Sequence, residues 1–571
     1  MKKVNSFHYV RMNYMKYSVR ERKGDILSDL LLYRGIESEE HRKAFLFPDY
    51  DSGTYDPFLM KGMDRSVERI YQAIKEKEHI VIFSDYDADG IPGGVILHDA
   101  FKKLGITHFE NYIPHRHNEG FGLNKKAIVS FKENDTKLLI TIDCGIANIK
   151  EVEFANSLGM DVIITDHHVP GKELPPAYAI LDPKKEDCEY PEKMLCGSGV
   201  IFKLVQALFK KYGEEFGIKD GWEKWYLDMV GIATLSDMVP LTGENRIFAF
   251  YGLKVLKKTT RPGLSRLYEK LRINRNDITE DDIGFTITPR INAASRMGEP
   301  EQAFKLLSTD DEALADTYAD ALEHVNNERK GTVASLVKEI KKLLLERDTD
   351  SKSVIVIGNP SWRPSLLGLV ANSLAEEYGK PAFLWGRDGE GVLKGSCRSA
   401  GNGSVIDIMN GAGDVFIECG GHDASGGFAV SGDSIHNLEN ALDKSCVDLS
   451  IKKVEKETFI DASISLEDVS WSLYKEIEKL APYGTGNPKP LFLIKSARIL
   501  EVKSFGKEKN HMEILFLDSN NRKLSAIRFF FSVDTLPGHV KAQGTTDIVV
   551  QVEKSTFKRY PELRMKIVDI L

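Results

Sequence analysis

The stretch HIVIFSDYDADG, His79–Gly90, decides the fold. His79–Ser84 is a short apolar run that suits a buried strand. Asp85, Asp87 and Asp89 then alternate through a turn that ends at Gly90, and Gly93–Leu104 reads as a helix. The same cycle recurs downstream: a strand at Lys137–Ile142, a turn, a helix at Ile149–Leu158, then a strand at Asp161–Thr165 that runs into TDHH. Upstream, Arg65–Lys75 has the pattern of an amphipathic helix. Strand, polar turn and helix in alternation predict a parallel sheet with helices on both faces, and such sheets carry their sites at the carboxyl ends of the strands.

Working outward from this core, residues 1–60 form a mixed segment with short helical patterns such as GDILSDLLLYRGI, expected to pack on the parallel-sheet domain over 61–245. Residues 246–349 read as a helical connector that includes TVASLVKEIKKLLLERD. A smaller α/β region begins near Ser353–Ile357 and fills 350–450. Over 456–571 the character changes: Met512–Leu517, Ser525–Phe531 and Asp547–Val552 predict strands between Gly, Asn and Lys turns, which suits a small β-barrel of OB type.

Composition bounds the function. The 571 residues, 42% hydrophobic and 28% charged, fit a soluble protein of about three or four domains. No apolar run is long enough to span a membrane, and the opening MKKVNSFHYVRMNYM lacks the apolar region of a secretory signal. The six cysteines, Cys144, Cys188, Cys196, Cys397, Cys419 and Cys446, form no CxxC pair, which argues against a zinc cluster or disulfide scaffold and for a cytoplasmic setting. The net charge of −8 disfavours non-specific wrapping of nucleic acid but leaves room for a local basic groove.

Four segments carry chemistry: SDYDADG with Asp85, Asp87 and Asp89, TIDCG with Asp143, TDHH with Asp166, His167 and His168, and ATLSDMVPL with Asp237. Carboxylates this close raise one another's pKa values unless positive charge lies between them. Divalent cations supply that charge, and a set of oxygens with one or two imidazoles suits Mn²⁺ or Mg²⁺ better than a thiolate-rich zinc site does. Two ions about 4 Å apart clamp a phosphoryl oxygen, acidify a water and stabilise a leaving oxygen. An EF-hand is disfavoured, because its twelfth position, counted from Asp85, is Ile96 rather than Glu. Alone, Asp143 or Asp237 would pass for a helix N-cap and DHH for a surface turn. Their joint occurrence in order within one α/β region is what points to metal chemistry.

These four segments resemble motifs I to IV of the DHH phosphoesterases. Further segments resemble the RecJ branch of that superfamily: IPHRHNEGFGL (113–123), TPRINAASRM (288–297), Trp362–Leu374 with GSCRS (395–399) and GGH (420–422), and LAPYGTGNPKPLF (480–492). The resemblance implies an α/β fold in which a parallel-sheet DHH domain is linked by a long helix to a smaller α/β DHHA1 domain, with a C-terminal OB-like β-barrel. It implies a 5′→3′ exonuclease that hydrolyses single-stranded DNA with two divalent cations, Mn²⁺ or Mg²⁺. It also implies a single-strand binding protein and a helicase as partners.

Residue by residue, the resemblance makes Asp85, Asp87, Asp89, Asp143, His167 and Asp237 the metal-binding set, and leaves open which of the first three meets which ion. Asp166 would orient a histidine. His168, and His422 from the other domain, would face the scissile phosphate. Arg116, Arg290, Ser396 and Arg398 would form the pocket for the 5′ phosphate, and Phe121 would stack on a base. Arginine forks do suit phosphate oxygens, and Gly420–Gly421 would let backbone approach a substrate. The plainer readings are a surface ion pair for an arginine such as Arg116, a buried core histidine for His422 and core packing for Phe121. Ile91-Pro92, Ser295 and Ser365-Leu366-Leu367 depart from the family pattern without touching an expected ligand; Pro92 falls where a first helical turn tolerates it. A DHH oligoribonuclease or cyclic-dinucleotide phosphodiesterase is the alternative, disfavoured by the PRINAA-like and PYGTGNP-like segments. An inactive DNA-binding scaffold would have lost the carboxylates.

Overall fold

The computed structural model describes residues 16–347, 351–389, 391–401, 403–451, 457–506, 509–538, 540–556 and 560–571. Strands are numbered along the chain, from β1 at Lys16–Val19. The catalytic sheet comprises β2 (His79–Ser84), β3 (Phe109–Tyr112), β4 (Thr136–Ile142), β5 (Asp161–Thr165) and β6 (Ala179–Leu181). Its order is β3-β2-β4-β5-β6, and every pairing is parallel.

Both faces of this sheet are buried, as crossover helices require. Ile80, Ile82, Leu138, Ile140 and Ile163 enter one core, while Val81, Phe83, Leu139, Val162 and Ile164 alternate into another. The chain leaves β2 in one direction to form β3 and returns to form β4 on the other side. The switch point therefore lies between β2 and β4, where open α/β sheets gather their ligands.

Helices follow, including Thr288–Met297, and then one helix of 34 residues, Glu312–Leu345. Its early turns put Ala319 and Leu322 into the catalytic core, and its late turns put Leu336, Ile340 and Leu344 into the core of the next domain. That domain's sheet comprises β7 (Ile355–Gly358), β8 (Ala382–Arg387), β9 (Leu393–Arg398), β10 (Phe416–Gly421) and β11 (Ser425–Val430), in the order β10-β11-β9-β8-β7. Both domains belong to one compact unit, Tyr50–Val454.

The second unit joins the residues before Tyr50 to the C-terminal region. Its strands beyond β1 are β12 (Glu457–Ile460), β13 (Ala462–Ile464), β14 (Phe492–Phe505), β15 (His511–Leu517), β16 (Lys523–Arg528), β17 (Thr545–Ser555) and β18 (Glu562–Ile570). Pairing of β14 with both β15 and β17 closes the order β14-β15-β16-β18-β17 into a barrel, so the sheet keeps few free edges.

The structure corrects the expectation that residues 1–60 pack as one segment on the catalytic domain. β1 pairs in parallel with β12, and Leu30 and Leu31 of the helix Ile26–Leu32 enter the barrel core. Only the end of the segment, with Tyr50 and Met60, joins the catalytic core. An apolar helix face reports that it will be covered, not by what. The strand expected to reach Phe531 stops at Arg528, and Phe530 is 84% exposed at φ +54°. Of the basic tail residues, Lys558 and Arg559 lie outside the described residues, while Arg564 pairs with Glu553 at 2.6 Å.

Candidate functional site

The parallel ladder runs straight into the acidic residues. Asp85 N–H donates to the carbonyl of Ile142, Asp143 N–H to Thr165 and Asp166 N–H to Leu181, at 2.9–3.0 Å. Neighbouring strand ends therefore deliver Asp85, Asp143 and Asp166 side by side. Two glycines make the packing possible. A Cβ on Gly90 would lie 2.5 Å from the carbonyl oxygen of Asp85, and one on Gly197 would lie 2.5 Å from the Cβ of Asp143. Asp143 itself sits at φ +60°, a conformation non-glycine residues seldom adopt.

The loop after β2 is pinned at several points. Asp87 Oδ1 accepts from the N–H groups of Asp89 and Gly90. Asn292 Oδ1, from the helix Thr288–Met297, accepts from Ala88 N–H at 2.9 Å. The Asp89 carboxylate accepts from Gly197 and Ser198 N–H, at 2.6 and 2.7 Å, at the start of the helix Gly197–Tyr212, where backbone N–H groups favour negative charge. Asp237 caps the end of the helix Leu227–Ser236.

The metal-type residues fall into overlapping groups, each with its ligand atoms within 4.8 Å of one another: Asp85, Asp87 and Asp143; Asp89, His167 and Asp237; and Asp143, His167 and His168. His167 Nε2 lies 3.1 Å from Asp143 and 3.8 Å from Asp89, and its Nδ1 lies 3.8 Å from Asp237. Asp143 thus stands between the first two groups.

No lysine or arginine forms an ion pair with these carboxylates among the described residues. Burial first, and then Asp87 or Asp89, drives the carboxyls of Asp85 and Asp143 well above their ordinary range. Burial and Asp87 push Asp89 up to about 6, and burial with Asp89 and Asp87 pushes Asp237 up to about 8. Burial and the neighbouring His168 hold His167 down to about 3, leaving a neutral imidazole. Asp85 Oδ1, Asp143 Oδ1 and His167 Nδ1 are buried without a hydrogen-bond partner. Buried unpartnered oxygens beside a neutral imidazole are what a divalent cation would satisfy, so these residues fit a pair of oxygen-loving ions.

Asp166 is spent on positioning. Its Oδ1 accepts from His168 Nδ1 at 2.8 Å and from the N–H groups of His167 and His168, and its Oδ2 accepts from Ile146 N–H. Burial opposes charge on His168, but the bond to Asp166 outweighs it and raises the imidazole to about 9. Phe121 is 53% exposed, with its ring edge-on to His168 at 5.7 Å, so it is not a core residue.

A cavity of about 720 Å³ opens between the two domains of this unit, lined by Tyr86, Arg116 and Phe121 on one side and by Ser396 and Gly420 on the other. Arg116 stacks over Tyr86 at 4.9 Å. Arg398 is half-buried, and a Cβ on Gly368 would come within 2.8 Å of its guanidinium. Gly421, at φ +147°, would carry a Cβ 2.4 Å from the carbonyl oxygen of Ser425, so that position needs glycine. His422 lies at the β10–β11 turn, closed by a bond from its N–H to Ser425, and its exposed ring has no hydrogen-bond partner among the described residues. It is not a buried core histidine.

Arg290 does not join this group. It is buried against the long helix, bonded to Glu323 at 2.6 Å and to the carbonyl of Thr286. Six positions later, about 240° around the same helix, Arg296 lies within reach of the charges of Arg116 and Arg398. Its guanidinium donates to the Ser365 carbonyl, and burial, then the charges of Arg116 and Arg398, press against its protonated form. A guanidinium stays charged regardless, so the field calls for an anion. Among the described residues Arg116, Arg296 and Arg398 have no carboxylate partner. Sequence reasoning missed Arg296, Asn292 and Tyr86. Arg296 was in view as the second arginine of TPRINAASRM, but only the helix face separates it from Arg290.

Comparisons with known proteins follow the same divisions. Residues 79–234 match the DHH family, N-terminal domain, 351–448 the DHHA1 domain and 460–569 the RecJ OB domain. A single-stranded-DNA-specific exonuclease RecJ from Bacillus subtilis is 34% identical over 503 residues. That alignment covers 87% of this chain and 62% of the relative, so the chain spans less than two thirds of that protein's length. The crystal structure of RecJ in complex with Mn²⁺ from Thermus thermophilus superposes with a TM-score of 0.80 at 26% identity, covering 97% of this chain and 79% of that one. A manganese-bound exonuclease RecJ structure is 31% identical at a TM-score of 0.58, covering 68% of this chain and 95% of its own. With three matched domains in the same order and acidic strand ends meeting at the sheet's switch point, the chain belongs to the RecJ family of DHH phosphoesterases.

Proposed function

We propose that the protein is a 5′→3′ exonuclease on single-stranded DNA that releases 5′-mononucleotides. The observation that carries this reading is a buried carboxylate cluster at the strand ends with, beside it, guanidinium groups that have no carboxylate partner among the described residues, of which Arg116 stacks on Tyr86 and lines the cavity between the domains. Asp85, Asp87 and Asp143 would hold one Mn²⁺ or Mg²⁺ ion, and Asp89, His167 and Asp237 the other, with Asp143 shared. Bound there, such a pair polarises the phosphoryl group, acidifies the attacking water and stabilises the leaving oxygen.

The chain's own residues do the rest. Arg116, Arg296 and Arg398 fix the terminal phosphate, with Ser396 beside them, which registers the next phosphodiester over the carboxylates. Phe121 offers a face to the terminal base. His168, kept protonated by Asp166, can give a proton to the departing 3′ oxygen. Water's oxygen bonds to phosphorus, the bond to that 3′ oxygen breaks, and the shortened strand carries a new 5′ phosphate ready for the same pocket. We infer a cytoplasmic setting, since the six cysteines are free thiols, and partners of the single-strand binding protein and helicase kind.

The test is a time course on 5′-phosphorylated single-stranded DNA labelled at its 3′ end, with Mn²⁺, with Mg²⁺ and with chelator. A metal-dependent ladder that shortens from the 5′ end, with duplex untouched, is expected. Cleavage of dinucleotides alone would move the protein to the small-substrate branch. The preference for a 5′ phosphate over a 5′ hydroxyl should fall about 10- to 100-fold in Arg296→Ala, the range for losing a charged hydrogen bond. In Arg290→Ala the preference should survive while thermal stability drops; the reverse pattern would restore Arg290 to the pocket.

A further inference from the structure

Charge is ordered along the C-terminal edge of the catalytic sheet. Arg116 follows β3, the aspartates follow β2 and β4, the histidines follow β5, and Lys184 follows β6. Thr165 pairs with Leu181 in parallel register, so His168 and Lys184 each leave the edge three residues beyond a matched pair. Asp182 shapes this last turn: its Oδ1 accepts from the Lys184 N–H at 2.7 Å. The next lysine is committed, since Lys185 is buried and donates to the Ile180 carbonyl. Lys184 is half-buried and has no ion-pair partner among the described residues. It stands at the end of β6, the strand next to the one that delivers His167 and His168. Arg116 stands on the other flank, after β3 and over the Tyr86 ring.

A strand whose 5′ phosphate rests on the arginines and whose scissile phosphate lies over the carboxylates still has to leave the site. The edge from β3 to β6 covers four strand spacings, about 19 Å, which leaves room for a further phosphate. Past the carboxylates it meets Lys184, which makes no ion pair among the described residues. We propose that Lys184 is a positioning residue that holds the phosphate immediately 3′ of the scissile phosphodiester. This rests on the exonuclease reading of the same site and adds to it the direction in which the strand crosses the sheet.

The test compares wild type, Lys184→Ala and Lys184→Arg on two 5′-phosphorylated oligodeoxynucleotides in Mn²⁺. A dinucleotide presents only the terminal and scissile phosphates, whereas a trinucleotide adds the downstream one. Wild type should show a KM about 5- to 10-fold lower for the trinucleotide, in line with one exposed charged hydrogen bond. Lys184→Ala should lose that gain, with kcat and the dinucleotide KM within about twofold of wild type, and Lys184→Arg should keep it. On long single strands the slope of log affinity against log salt should shrink by about 0.7, as for one lost phosphate contact. No gain in wild type, an undiminished gain in Lys184→Ala, or an equal loss on both substrates overturns the proposal. A wild-type enzyme that cleaves neither these substrates nor long single strands overturns the reading of the site itself, and this inference with it.

Discussion

Asp143→Asn is expected to lower kcat on single-stranded DNA by about 10³-fold or more, the scale of several kcal/mol for metal-assisted charge stabilisation. The same change should leave the metal-free protein as stable as wild type, or more so. Asp143 is buried, pushed toward protonation by its surroundings, and held with one oxygen unpartnered. Asparagine keeps its size and tolerates positive φ, and it removes one of the mutually repelling carboxylates. The stabilisation that Mn²⁺ confers on wild type should shrink in the variant, because one residue stands between both candidate ion positions. Kinetics together with thermal melts, with and without Mn²⁺, check this. Full activity, or an unchanged melting shift on adding Mn²⁺, would remove Asp143 from the centre.

Lys203→Met should cost about 3–5 kcal/mol of unfolding free energy, the range for stranding one partner of a buried ion pair. Both Lys203 and Glu244 are fully buried, 3.2 Å apart. Lys203 also donates to the Tyr55 carbonyl, and Glu244 accepts from Tyr55 N–H and Tyr190 Oη. With the ammonium gone, the carboxylate keeps two hydrogen bonds and no counter-charge. The double variant Lys203→Met/Glu244→Gln should recover part of the loss, since a neutral amide is cheaper to bury. Urea denaturation of the single and double variants measures this; a single variant within about 1 kcal/mol of wild type would contradict it. The network matters to the site because Tyr190 and Met194 lie in the segment leading to Gly197, whose N–H clamps Asp89. Asn245, next to Glu244, donates to the Met194 carbonyl at 2.6 Å.

Local chemistry was legible in the sequence, and partner choice was not. The alternation around His79–Ser84 and Asp161–Thr165 is a property of a few consecutive residues, and both strands have those bounds. Asp85, Asp143 and Asp166 could be placed together because a parallel sheet brings strand ends to one edge. The division of the carboxylates into two groups depends on rotamers and loop bonds, such as Asp89 at the Gly197 helix, more than a hundred residues away. Arg290 and Arg296 look alike in the sequence and differ by the helix face they occupy. The docking of β1 on β12 joins segments more than four hundred residues apart, and Tyr17 reaches Asp569 at 3.1 Å. No local periodicity encodes such a pairing.

The helix Glu312–Leu345 has one end in each of two hydrophobic cores, with no break between them. Such a rod sets phase as well as distance. Inserting a single residue would shift the far core by about 1.5 Å and turn it by about 100°, taking Ser396 and Gly420 out of the cavity's line. Length changes near two full turns, about seven residues, restore the phase to within about 20° but add about 10 Å of separation. The spacing between the carboxylate edge and the phosphate-facing strands is therefore not continuously adjustable. Within this architecture, evolution can tune the cleft by changing the side chains that line it more readily than by changing the length of the helix that spans it.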